Sequence, residues 1–174
     1  VILNNLYKQT ALQSSFSANM LALIDGKPAL VTLKTAIQQY IKFRQQVIRR
    51  RTEFELKKAE DRAHILAGLR IAIQNLDDVI KLIRSSDDVE SARVGLMSKF
   101  NLDQPQAQAI LDMQLRRLAA LEIEKLEKEY QDLQETIKNL KDLLSDEDKI
   151  RTVVKEETEE LKSKIGDKRR TKIS

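Results

Sequence analysis

Cysteine and tryptophan are absent from this chain, and histidine occurs once, at position 64. Without cysteine there is no disulfide framework and no thiolate metal site, and a reducing compartment fits. One imidazole has no partner with which to build a metal centre or a nucleophile–base constellation. His64, beside the apolar Ile65-Leu66, therefore reads as a packed or interface residue. The four glycines, Gly26, Gly68, Gly95 and Gly166, are isolated, so no phosphate-cradling loop is encoded. No apolar run approaches the roughly 18 residues of a membrane span, so no membrane partner is expected. No signal-peptide pattern opens the chain, and its first residue, Val1, is not an initiator Met, so it reads as part of a longer polypeptide.

What remains is charged and helical in character. Charged residues make up 33%, aromatics only 4%, and the net charge is +4, so any nucleic-acid surface must be a local patch. Abundant Ala, Glu, Lys, Leu and Arg point to long helices and coiled coil rather than a compact α/β core. Near the start, Leu6, Tyr7 and Leu12 sit at roughly helical spacing behind a capping Asn. Two apolar runs, 20–24 and 29–32, then flank Asp25-Gly26-Lys27-Pro28 and read as a β-hairpin. Alone it is too small to be stable.

From Leu33 the period becomes helical, with Ile37, Tyr40, Val47, Phe54, Ile65, Leu69, Ala72, Leu76, Ile80 and Ile83 forming one stripe. Asp77-Asp78 marks an end or bend of this arm, and Ser85-Ser86-Asp87-Asp88 a loop and cap. Asp103 and Pro105 open a further helix, expected to include 106–118 and to flow directly into the return arm. There Ile123, Leu126, Tyr130, Leu133, Ile137, Leu140 and Leu144 alternate three- and four-residue steps, as in a two-stranded seam. Ser145-Asp146-Glu147-Asp148 resembles a cap and helix restart, and Gly166 a helix stop. The acidic pairs before these helices read as caps rather than metal ligands. Two arms of matching length around an insert give a mainly α fold. It is a long antiparallel coiled-coil hairpin with a small helical head at its tip, plus a small N-terminal β-hairpin.

Two features leave alternatives open. Seven cations, Lys42, Arg44, Arg49, Arg50, Arg51, Lys57 and Lys58, face only Glu53 and Glu55 over residues 42–58. They fit either a DNA path or a solvated face paired with Glu127, Glu129, Asp132 and Glu135 of the return arm. In the insert, Leu111, Leu115 and Leu118 make one apolar line, and Ala107, Ile110, Met113 and Arg117 another. Either both lines are buried in one small head or the second faces a partner.

Four runs carry a family resemblance: NNLYKQTALQ (4–13), RRRTEFELKKAEDRAHILAGL (49–69), QAQAILDMQLRRL (106–118) and GDKRRT (166–171). In that order they resemble the A subunits of bacterial DNA gyrase and, more broadly, type IIA topoisomerases. GDKRRT and QAQAILDM favour gyrase over the related topoisomerase IV. The resemblance implies the end of a tower domain at 1–32, a first coiled-coil arm at 33–76 and a dimerisation head at 77–118. The return arm follows at 119–165 and a basic extension at 166–174. It implies an exit-gate homodimer through Gln106, Ala107, Ile110, Met113 and Arg117, with Gln106 and Arg117 at a polar rim. It also implies duplex DNA as substrate, with Arg44, Arg49, Arg50, Arg51 and Lys57 as possible DNA-facing residues. The gyrase B subunit would supply ATP turnover and Mg2+, with no cofactor in this chain, in a cytoplasmic enzyme. The family's nucleophilic Tyr lies in an Arg-Tyr-Thr context that is absent here, so Tyr7, Tyr40 and Tyr130 do not inherit that role. Where relatives often carry Thr-Gly this chain has Ala119-Ala120, which removes a capping side chain. Rival classes are a non-enzymatic coiled-coil spacer and a nucleic-acid-grasping arm.

Overall fold

The computed structural model describes residues 1–114 and 120–171, without the side chains of 120 and 121. Seven helices and one two-stranded sheet occur among the described residues, confirming the mainly α fold. The chain divides into two compact units, Val1–Phe43 and Arg44–Ser174.

The first unit holds α1 (Ile2–Gln9), the hairpin β1 (Leu21–Ile24) and β2 (Lys27–Leu30), and the start of α2 (Leu33–Gln74). Asp25 and Gly26 both adopt positive φ, 52° and 76°, the geometry a two-residue hairpin turn demands. The strands pair Leu21↔Leu30, Ala22↔Ala29, Leu23↔Pro28 and Ile24↔Lys27. Beyond them the Val31 amide donates to the Met20 carbonyl. Ladder bonds alternate, so Pro28 falls on a non-bonded pair where its missing N–H costs nothing.

In the second unit, α2 runs out along one side of a helical hairpin. Asn75 then interrupts it, its side-chain amide donating to the Ile71 carbonyl at 2.9 Å. Helix α3 (Leu76–Ser85) begins at once, with Asp77 and Asp78 in its first turn. The arm thus ends at Gln74, and the bend expected near Asp77-Asp78 lies just before them. Asp88 caps α4 (Val89–Phe100) by accepting from the Ser91 amide. Asn101, with φ 52°, closes that helix in the left-handed region that Asn tolerates. The return arm is α6 (Ala120–Ser145) and α7 (Glu147–Ile165), separated at Asp146, whose carboxylate accepts from the Asp148 amide.

The arms are antiparallel, because contacts that advance along α2 retreat along the return arm. Ile48 packs with Ile150 and Val154, and Ala59 and Ala63 with Ile137. Leu66, Leu69 and Ala72 lie in one cluster with Val79, Leu96, Leu102 and Ile110 of the head, against Leu126, Tyr130 and Leu133. The return-arm stripe expected from its heptads is inward as predicted. The first-arm stripe is inward only in part: Leu69 and Ala72 are buried, but Phe54 is 70% exposed, and there the seam runs through Ile48, Thr52, Leu56, Ala59, Ala63 and Leu66. The cause is size, since small Thr and Ala occupy the contact line and bulk no longer marks it. Buried Thr52 satisfies its hydroxyl on the Ile48 carbonyl at 2.9 Å.

Helix α7 stops at Gly166, but not through a left-handed cap, because its φ is −74°. Glycine serves close approach instead: a Cβ there would lie 2.4 Å from the Lys162 carbonyl oxygen.

Candidate functional site

Helix α5 (Gln104–Leu111) forms the core of the predicted dimer patch, and its local chemistry explains its placement. Asp103 and Gln106 make a reciprocal capping box, with Asp103 Oδ1 accepting from the Gln106 amide at 3.0 Å. Gln106 Oε1 in turn accepts from the Asp103 amide at 3.2 Å, and Pro105 occupies the first turn. The Gln106 side chain has a second task, donating from Nε2 to the His64 carbonyl of α2 at 2.9 Å. It reaches that carbonyl across Gly68, where a Cβ would stand 2.7 Å from the Gln106 Cβ. His64 Nε2 meets Asp103 Oδ2 in the same junction. The Gln106 amide, and then His64, hold the Asp103 carboxyl below its ordinary range.

This junction corrects the expected outward face. Gln106 is 7% exposed, Ala107 fully buried and Ile110 3% exposed, all turned into the chain's own core. Ala107 and Ile110 of the line that reads as a partner face share a buried cluster with Leu66 and Leu69 of α2, and Gly68 leaves the room that Gln106 occupies. Gln106 is accordingly a bonded tether rather than a polar rim. Met113 is half-buried, just past the end of α5. The expected helix through 118 ends at Leu111, where Asp112 caps it and accepts from the Gln108 side chain at 3.0 Å. It therefore does not flow directly into α6. Leu115, Arg117 and Leu118 lie outside the described residues. Between α2 and this turn a recess of about 270 Å³ is lined by Ile65, Leu69, Ala109 and Met113, with Arg62, Asp112 and Gln114 at its edge.

The basic run of α2 is divided by its partners. Arg44 and Arg51 converge on Glu157 of α7, at 2.5 and 2.8 Å, and Arg49 reaches Glu147 at 3.5 Å. Hydrogen bonds from Arg51, and then Arg44, hold the Glu157 carboxyl below the usual carboxylate range. Arg50 and Lys57 are exposed and, among the described residues, have no ion pair. Two of the four acids foreseen as partners, Glu129 and Glu127, engage cations farther along. Glu129 accepts from Arg62 at 2.7 Å and raises its pKa. Glu127 lies 2.9 Å from Arg70, whose guanidinium also stands over the Tyr130 ring at 5.4 Å.

Sequence reasoning missed the His64–Asp103–Gln106 junction and Glu157 as a double acceptor. The Asp-x-x-Gln capping spacing was a signal for half of the junction. The pairs from α2 to α7 had none, because the arm register sets them. Among the described residues no group of three or more His, Cys, Asp or Glu side chains is placed to hold a metal ion, and none is assigned here. No helix among them is long and apolar enough to cross a membrane.

A helical head seated on an antiparallel coiled-coil hairpin places the protein in a class of helical arm modules. The particular family follows from comparison with known proteins: the chain belongs to the DNA gyrase/topoisomerase IV A-subunit family, whose model matches residues 1–159. The DNA gyrase A subunit of Halalkalibacterium halodurans is 56% identical across 100% of this chain, which covers 21% of that protein. The corresponding gyrase chain of Clostridium acetobutylicum is 55% identical across 99% of this chain, again 21% of the relative. That of Staphylococcus epidermidis is 53% identical across 99%, or 19% of its length. The chain thus spans about a fifth of the length of these relatives.

Proposed function

We propose that this chain is the exit-gate dimerisation module of a gyrase A subunit. It works within a type IIA topoisomerase that passes one duplex through a break in another. The observation that carries the reading is identity above half to gyrase A subunits across essentially the whole chain. The same matches favour gyrase over topoisomerase IV and give no support to a bare spacer. The gyrase B subunit would be the ATP-consuming partner, Mg2+ would belong to the assembled enzyme, and the location would be cytoplasmic. In this reading residues 1–32 end a tower domain, 33–76 and 119–165 form the arms, 77–118 the head and 166–174 a basic extension.

The homodimer would form through the head, with roles redistributed by burial. Gln106, Ala107 and Ile110 hold α5 against α2 from behind. Met113 and the adjacent recess present the adaptable apolar contact, with Arg117 as a flanking cation. Arg50 and Lys57 remain available to duplex phosphates, whereas Arg44, Arg49 and Arg51 are held by α7.

Two substitutions separate support from contact. Met113→Asp should yield a folded monomer by light scattering with unchanged helicity, because the cost falls on the interface. Ile110→Asp should instead loosen the head itself, lowering the melting temperature even where no dimer forms. A Met113→Asp chain that remains fully dimeric at low micromolar concentration would move the interface elsewhere.

A further inference from the structure

We infer that the outward face of α2 around Phe54 is a contact site for single-stranded nucleic acid. Phe54 is 70% exposed and turned away from the seam, which runs through Thr52, Leu56 and Ala59. A lone exposed apolar residue needs no explanation. This one is singled out by its flanks: Arg50 lies four residues before it, and Lys57 and Lys58 three and four after it. Those spacings place cations one turn above and one turn below the ring on the same face. All three are exposed and, among the described residues, without an ion pair, whereas the neighbouring Arg51 is taken up by Glu157. Glu53 and Glu55 leave the helix on either flank of the ring, a spacing that does not bring them onto its face.

Charge complementarity selects a polyanion, and the ring narrows the choice. A duplex keeps its bases stacked and would use only the cations, leaving Phe54 idle. An unpaired base offers a π-face to the ring while the adjacent phosphates reach the cations. The inference deepens the nucleic-acid reading above, which needs only a path that admits duplex and no aromatic contact.

The test is fluorescence anisotropy of the 174-residue chain with a 20-nucleotide thymidine strand, against a duplex of equal length, across a salt series. Phe54→Ala should weaken single-strand binding by about fivefold or more, with duplex binding and helicity unchanged. Phe54→Trp should restore it, and Arg50→Gln should reduce the salt slope by about 0.7. An equal loss on both ligands, or none on the single strand, overturns the site. Displacement by polyglutamate as efficient as by oligonucleotide also overturns it, in favour of an acidic protein partner. Persistent duplex binding with a silent Phe54→Ala removes this contact alone. Loss of all binding to both ligands removes the DNA-facing assignment of Arg50 and Lys57 too.

Discussion

The two ends of the helical hairpin in the second unit are held by different physics. At the head end, Leu66, Leu69 and Ala72 of α2 share one continuous apolar cluster with α3, α4, α5 and the start of α6. At the other end the buried apolar cluster among the described residues is Ile48, Ile150 and Val154, with Leu143 and Val153 packed against it, and the flanks are ion pairs from Arg44, Arg49 and Arg51 to Glu157 and Glu147. Burial of apolar area is nondirectional and little affected by salt, while half-exposed ion pairs are screened and weak. One helix is thus held mainly by apolar packing at one end and by a small apolar contact flanked by ion pairs at the other.

The largest expected effect tests the apolar packing at the head end. Leu66→Ala, at a side chain 1% exposed, should cost about 2–5 kcal/mol and melt the head with the arm beside it. A loss near 1 kcal/mol in calorimetry would mean that the cluster is loosely packed and the contrast overstated.

Next comes the close approach at Gly68. In an isolated helix Gly→Ala stabilises by roughly 1 kcal/mol. Here the new Cβ meets Gln106 at 2.7 Å, so Gly68→Ala should destabilise by about 1–3 kcal/mol. A higher melting temperature for the variant would show that Gln106 releases the His64 carbonyl without penalty.

The smallest effect concerns the ion pairs at the other end. Glu157→Gln should cost about 1 kcal/mol or less at neutral pH, the range of partly exposed pairs. Because the folded carboxyl titrates lower than its unfolded counterpart, its stabilisation is present above about pH 4.3 and lost as pH falls through the folded value. Wild type and variant should therefore converge in acid, and molar salt at neutral pH should shrink the gap likewise. A difference that persists at pH 2 would assign Glu157 a packing role instead.

Legibility followed the range of each signal. Caps at Asp88, Asp103 and Asp146 and the Asp25-Gly26 turn were readable, since their hydrogen bonds close within two or three residues. The return-arm heptads were readable because bulky residues mark them. The α2 seam misled at Phe54, where Thr52, Ala59 and Ala63 carry the contact. At the head, Ala107 and Ile110 of a line that could have faced a partner are buried in the chain's own apolar cluster.

By itself, the sequence determined the helical class, the hairpin turn, the capped breaks and the family, all properties encoded in local spacing or contiguous motifs. Only the tertiary structure decided which face of α5 is spent inside the chain, which cations Glu157 and Glu147 hold, and which, like Arg50 and Lys57, have no ion pair among the described residues. Those outcomes depend on the axial register between α2 and the return arm. A shift of one residue turns a helix by about 100° and exchanges every partner across the seam.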